Sequence, residues 1–215
     1  MKSFIIIGLG RFGSEAAISL SRQGCEVLAM DTNSDLVQQI SDRVTQAVVG
    51  DARDKGVLRA LDAKAFDCAI VAIGDSLADS VLATMNLKEL NVPYIVAKAH
   101  DETHSQVLKK LGADRVVIPE KENAARLAKS LSSANVLDYI ELSEDYGIIE
   151  ISAPASWLGK SLLELNVRAK VGVTVLAVKR NTEITVSPTA DFRMQKGDTL
   201  VVLGDAKALK AMQVL

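Results

Sequence analysis

The chain has 215 residues, 48% of them hydrophobic and 24% charged, which suits one large domain or two small ones with a real core. Its 25 basic and 27 acidic residues leave a net charge of −2, so no basic field draws in nucleic acid, and no nucleic-acid partner is expected. No stretch reaches the roughly 18–20 apolar residues of a membrane-spanning helix. The short apolar run in "MKSFIIIGLG" stops at glycines without a small-residue cleavage site, so no signal peptide is expected. Cys25 and Cys68 lie far apart and read as reduced, structural thiols of a cytoplasmic protein.

Strand-like runs and helical patterns alternate through the first two thirds. Strands are expected at Phe4–Ile7, Glu26–Met30, Ala47–Val49, Cys68–Ile73, Tyr94–Ala97 and Arg115–Ile118. Helices are expected near Phe12–Gln23, Ser34–Asp42, Lys55–Leu61, Ser76–Leu90 and Glu102–Leu111. Gly24, Asn91 and Gly112 follow three of these helices as stop signals. Continuous Val/Ile runs mean strands buried on both faces, as in a parallel sheet covered by helices. The fold class is therefore α/β: a Rossmann-like, doubly wound parallel sheet over residues 1–118.

The pattern then changes. Residues 119–143 read as crossover or dimerisation helices, with one Ala- and Leu-rich helix from Glu120 to Tyr139, kinked near Ser132–Ser133. That helix is too apolar for a free linker and is expected to cross to a partner subunit or pack in a dimer. From about residue 144 to 215 the text is β-rich: "IIEISA", "VTVLAVKR", "EITVS" and "TLVVLG", with helical pieces at Ser161–Leu165 and Ala206–Gln213. This reads as a small α+β domain.

The first strand enters Gly8-Leu9-Gly10-Arg11-Phe12-Gly13, which is G-x-G-x-x-G between a strand and a helix. The first glycine permits the tight turn, the second lets backbone approach a pyrophosphate, and the third lets helix pack on strand. Free N–H groups and the helix dipole then face an anion. The second strand ends at Asp31, 18 residues past Gly13, where a carboxylate accepts from both ribose hydroxyls and repels a 2′-phosphate. Arg11 projects from the turn and suits a nucleotide with more terminal phosphate charge. Asp51 and Ala52 close the third strand and are candidates for the adenine and ribose; the competing role for Asp51 is capping the next helix. Gly74 ends the fourth strand and Lys98 the fifth, on the same rim. Glu120 either caps the following helix or reaches a ligand or cation.

Other residues carry less. His100 and His104 stand four apart in "HDETH", which is not H-E-x-x-H, and read as surface histidines rather than metal ligands. Trp157 reads as packing at an interface. No Ser-centred elbow, carboxylate pair or metal set is visible, and the C-terminal domain has neither His nor Cys. Hydride transfer needs a group to handle a proton, and none presents itself. The residues alone therefore describe a nucleotide sensor, not an enzyme. An NAD-dependent oxidoreductase or an NAD/NADH redox sensor shares the turn and Asp31 and stays the alternative.

"IIGLGRFG", "EVLAMD", "VAIGD", "LGADRVVIPEKE" and "LNVRAK" resemble the cytoplasmic regulatory subunits of bacterial Ktr/Trk potassium transporters, of KtrA type, with an RCK (KTN) N-domain and an RCK C-domain. The resemblance covers essentially the whole chain. It implies dimers assembled into an octameric ring on the inner face of the membrane, docked on a KtrB/TrkH-like potassium-translocating subunit. It implies ATP and ADP competing for the N-domain and gating the pore by reshaping the ring. On this chain it places Gly8, Gly10, Arg11, Phe12 and Gly13 at the phosphates, Asp31 and Asn33 at the ribose, and Asp51 and Ala52 at the adenine. Lys98 would meet phosphate, and Arg11 would reach a γ-phosphate across the dimer. Glu120 would meet Mg²⁺ or another cation bridging two protomers. In some members the C-domain dimer binds cyclic di-AMP, and Val167, Arg168, Ala169 and Pro188 match that pocket. This chain has Arg180 and Asn181 where some members carry a histidine, and Asp51 where near members often have asparagine.

Overall fold

The computed structural model describes residues 1–215 apart from Asp75, residues 132–135, Glu144 and residues 213–215. The chain divides into two units, Met1–Glu120 and Lys121–Leu215.

In the first unit β1 (Ser3–Ile7), α1 (Arg11–Arg22), β2 (Glu26–Asp31), α2 (Ser34–Ile40), β3 (Gln46–Val49) and α3 (Lys55–Ala60) form one half. β4 (Cys68–Val71), α4 (Leu77–Glu89), β5 (Ile95–Lys98), α5 (Glu102–Lys110) and β6 (Arg115–Val117) form the other. The sheet runs β3-β2-β1-β4-β5-β6, and every pairing is parallel. This is the doubly wound order expected, and its reversal between β1 and β4 opens a crevice at their C-terminal ends.

The isoleucine run in β1 explains why a central strand forms there. Ile5 and Ile7 pack into one core cluster with Leu28, Met30 and Ile95, and Ile6 packs into another with Ala17, Val27 and Ala29. All three are at most 3% exposed, so both faces of the strand are covered. Each buried isoleucine stabilises the fold by about 1.5–3 kcal/mol. Gly24, Asn91 and Gly112 all adopt φ between +59° and +102°, the left-handed stop their sequence positions predict. Asn33, Asp54, Ser76 and Asp101 cap α2 to α5 through their side-chain oxygens.

α6 (Pro119–Leu131) follows, and the second unit continues with β7 (Val136–Glu141), β8 (Tyr146–Ser152), α7 (Leu162–Leu165), α8 (Val167–Lys170), β9 (Thr174–Arg180), β10 (Glu183–Val186), β11 (Thr199–Asp205) and α9 (Ala206–Met212). Its sheet runs β10-β9-β11-β8-β7, antiparallel throughout. One difference from the sequence reading stands here. The helix expected to reach Tyr139 ends at Leu131, and Val136–Glu141 is a strand paired with β8 through Tyr139↔Ile149 and Ile140↔Ile148. The expected kink at Ser132–Ser133 and the helix end at Gln213 lie outside the described residues. The cause is tertiary: "VLDYIE" supports either state locally, and pairing with β8 together with Tyr139 packed on the core decides for strand.

Trp157, expected at an interface, is 6% exposed and belongs to the core of this unit with Ile149, Met194 and Leu200. Both cysteines are free thiols. Burial pushes Cys68 up to about 11.

Candidate functional site

A cleft of about 900 Å³ opens in the first unit at the C-terminal ends of the parallel strands. That volume falls in the ordinary range for small-molecule sites. Gly8, Gly10, Arg11, Phe12, Asp31, Asn33, Asp51, Ala52, Gly74, Lys98 and Glu120 all line it. The eleven come from all six strand ends and the segments after them, so the topology brings together residues up to 112 positions apart in sequence.

The three glycines divide their labour. Gly8 sits at φ +93°, and its N–H donates to the Met30 carbonyl at 2.9 Å. A Cβ on Gly13 would stand 1.9 Å from the Gly8 carbonyl oxygen, so α1 packs on the turn only because that atom is absent. Gly13 therefore serves packing and does not line the cleft. A Cβ on Gly10 would meet nothing within 4 Å. The protein itself does not need glycine there, and the absence of a side chain leaves the turn's backbone open to close approach.

Asp31 is also a support for the turn. Its Oδ2 accepts from Leu9 N–H at 2.6 Å, and its Oδ1 accepts from Asn33 N–H at 2.8 Å. Each oxygen keeps a second lone pair for a hydroxyl. Asn33 itself caps α2 through Oδ1, which accepts from Asp35 N–H at 2.9 Å. Asp51 does not cap α3, since Asp54 does. Glu120 pairs with Lys98 at 2.7 Å, and Lys98 Nζ stands 5.9 Å from the centroid of the Phe12 ring. The Lys98 hydrogen bond, followed by the residue's own backbone N–H, holds the Glu120 carboxyl below the usual carboxylate range.

Among the lining residues that escaped the sequence reading are the polar Thr32, Arg53, Ser76 and Asp79. Arg53 was two places beyond Asp51 in "GDARD", and a basic residue just past a strand's ligand end was the available signal. The proposed second-ligand residues distribute differently. Val167 is 7% exposed and in the core, Arg168 and Ala169 are exposed, and Pro188 is half-buried. Arg180 pairs with Asp198 and lies 5.0 Å from the centroid of the Phe192 ring.

The histidines are not both at the surface. His104 is fully buried; its Nε2 is 2.7 Å from Ser80 Oγ, and its Nδ1 is 2.7 Å from His100 Nδ1. Ser80 Oγ donates to the Leu77 carbonyl, so it accepts from His104 Nε2–H. Among the described residues no group of three His, Cys, Asp or Glu is placed to hold a metal. Burial, ahead of the His100 charge, pushes the His104 imidazole below its ordinary value. The unfolded chain then takes up a proton that the folded chain refuses. Its contribution is complete above the unfolded value and is lost as pH falls from there through the lower folded one. The melting midpoint should drop on acidification below about pH 6.5, and His104→Gln should flatten that slope in a pH series of thermal melts.

Residues 4–119 match the TrkA-N domain, and residues 147–215 match the TrkA-C domain. The chain is 45% identical over 203 residues to the Ktr system potassium uptake protein C of Bacillus subtilis (strain 168), covering 94% of this chain and 92% of that protein. It is 42% identical over 212 residues to the Ktr system potassium uptake protein A of the same organism, covering 99% and 96%. Its fold is similar to that of the GsuK RCK domain crystal structure, with a TM-score of 0.71 at 21% identity over 100% of this chain and 47% of that one. A parallel sheet wound in this order, followed by a small antiparallel unit, is the RCK architecture. The chain belongs to the TrkA-N/TrkA-C family of potassium-uptake regulatory subunits.

Proposed function

We propose that this chain senses adenine nucleotides and thereby gates a membrane potassium-translocating subunit of KtrB/TrkH type. It works at the cytoplasmic face, as a homodimer assembled into an octameric ring. No helix among the described residues is long and apolar enough to cross a membrane. The observation that carries the reading is the cleft on which the glycine turn, Asp31, Asp51, Lys98 and Glu120 converge. Among the described residues the lining has no His, Cys or Tyr. Binding and release, not bond chemistry, suit that set.

A ligand that binds two ring shapes equally shifts neither. ATP exceeds ADP by one anionic phosphate, so the discriminating groups are those that meet it. Arg11, exposed at the first position of α1, reaches that phosphate from the facing protomer. Lys98 has two competing acceptors, Glu120 and a nucleotide phosphate. When phosphate takes Lys98, the Glu120 carboxylate is released to a cation, Mg²⁺ or another, that the polyphosphate brings with it. Cyclic di-AMP is the second ligand, at Val167, Arg168, Ala169 and Pro188 of the C-terminal unit. NAD or NADH, in a redox sensor, is the alternative occupant of the cleft, carried by the two oxygens of Asp31.

The test is a titration of the purified protein with ATP, ADP, NAD and NADH, each with Mg²⁺, read as thermal stabilisation and oligomer size. Ligands that bind the folded state raise the midpoint with affinity and concentration. ATP and ADP should both raise it and give different oligomer behaviour. Arg11→Ala should narrow the ATP/ADP affinity ratio by about fivefold or more with the unliganded midpoint unchanged. A preference for NADH with weak adenine nucleotides replaces this reading by the alternative.

A further inference from the structure

The cleft holds one cation that the reading above leaves without a task. Arg53 stands on the loop between β3 and α3, and its guanidinium reaches carboxylates from two elements. Nε donates to Asp51 Oδ1 at 3.0 Å and Oδ2 at 2.9 Å, and Nη2 donates to Oδ2 at 2.7 Å. Nη1 donates to Asp79 Oδ1 at 3.1 Å, in the first turn of α4. The Arg53 backbone N–H adds a bond to Asp51 Oδ1 at 2.9 Å. The loop beneath is anchored too. Asn86, buried on α4, donates through Nδ2 to the carbonyls of Ala52 at 3.0 Å and Arg53 at 2.9 Å.

These bonds change what Asp51 is. An exposed aspartate turns freely about two side-chain bonds. A carboxylate held in a two-pronged arginine fork keeps one plane, and only the lone pairs facing away from the fork stay open. The Asp51 side chain still exposes 35% of its surface, and it lines the cleft. The cleft thus presents a fixed, ionised acceptor, whose matching ligand group is an N–H donor. The six-position distinguishes the purines here, because adenine offers an amino group and hypoxanthine a carbonyl oxygen.

Resting on the nucleotide reading, we propose that Arg53 is the positioning residue that makes the cleft prefer adenine. It holds Asp51 as a fixed acceptor for the six-amino group, so a six-oxo base sets acceptor against acceptor. A site built to pair a polar ligand group rejects the analogue that leaves its own group unpaired.

The experiment measures ATP and ITP binding by calorimetry, with Mg²⁺, on the full chain and on Arg53→Ala and Arg53→Lys. ITP carries oxygen where ATP carries the amino group. The wild type should bind ATP at least about tenfold tighter than ITP, the worth of one hydrogen bond to a charged group. In both variants ATP affinity should fall towards that of ITP while ITP affinity stays within about twofold. Lysine keeps the charge without the fork, so it separates geometry from charge and serves if the alanine variant melts early. An unchanged ATP/ITP ratio in both variants overturns the proposal and leaves nucleotide binding standing. So does a rise in ATP affinity in Arg53→Ala, because Arg53 would then be competing with the base for Asp51. Failure of the wild type to bind either nucleotide overturns the nucleotide reading and this proposal with it.

Discussion

Gly10→Ala should weaken nucleotide binding on the order of a hundredfold while leaving the melting temperature almost unchanged, and Gly13→Ala should do the reverse damage first. The two glycines are three residues apart and play unlike parts. At Gly10 the backbone is extended, with φ −64° and ψ −174°, which alanine adopts freely. A Cβ there meets no protein atom within 4 Å, so the cost to the fold is that of a poorer helix cap, below about 1 kcal/mol. The methyl group would keep a phosphate away from the free N–H groups of the turn. Losing about two charge-assisted hydrogen bonds accounts for the expected drop. At Gly13 the added Cβ would stand 1.9 Å from the Gly8 oxygen and 3.0 Å from Ala72 Cβ. Backbone cannot yield as a side chain does, so α1 must lift off the turn. Overpacking of this kind costs about 3 kcal/mol, or roughly 6–12 °C in a chain of this size. Thermal melts and calorimetry on the two variants decide it. Normal nucleotide affinity in Gly10→Ala would mean that phosphate does not sit on this turn.

Arg180→Ala should lower the midpoint by about 10 °C. Asp198 has no exposed side-chain surface. Arg180 satisfies it from one side, Nε to Oδ1 at 2.7 Å and Nη2 to Oδ2 at 2.8 Å, and Gln195 N–H reaches Oδ2 at 2.8 Å. Arg180 also donates to the Arg193 carbonyl at 3.0 Å, so it joins β9 to the segment before β11. Removing it leaves a buried charge with one donor. Breaking a buried pair costs about 3–5 kcal/mol, and the remaining Gln195 bond puts this case at the lower end. The Arg180 hydrogen bonds hold the Asp198 carboxyl below its ordinary value, against the opposing effect of burial. In the wild type that stability is complete above the unfolded carboxylate value near 3.9 and is lost as pH falls through the folded one. The variant lacks it at every pH, so the gap between the two melting curves should narrow below about pH 4. Asp198→Leu combined with Arg180→Met should recover most of the loss, since apolar residues of similar volume replace such a pair without a charge to bury. A gap independent of pH would mean that Arg180 acts by packing on Phe192 instead.

Much of this protein is written locally. The triple isoleucine before Gly8 and the helix stops at Gly24, Asn91 and Gly112 depend on residues within a strand or a helical turn of each other. Strand order then follows from the handedness of each crossover, and the cleft follows from strand order. That is why most of the cleft residues were predictable one by one from positions at strand ends, while Phe12 and Asn33 entered through the family resemblance.

What tertiary structure decided was which partner each polar group takes. Asp31 braces Leu9 across 22 positions, Lys98 turns to Glu120 across 22, and Arg53 reaches Asp79 across 26. His104 is buried against Ser80, 24 residues away on the preceding helix. Val136–Glu141 became a strand because β8 offered an edge. Local propensity sets the backbone state of a segment through its own side chains and caps. A hydrogen bond or a strand pair between distant segments depends on where the whole sheet carries them, and no window of sequence contains that distance.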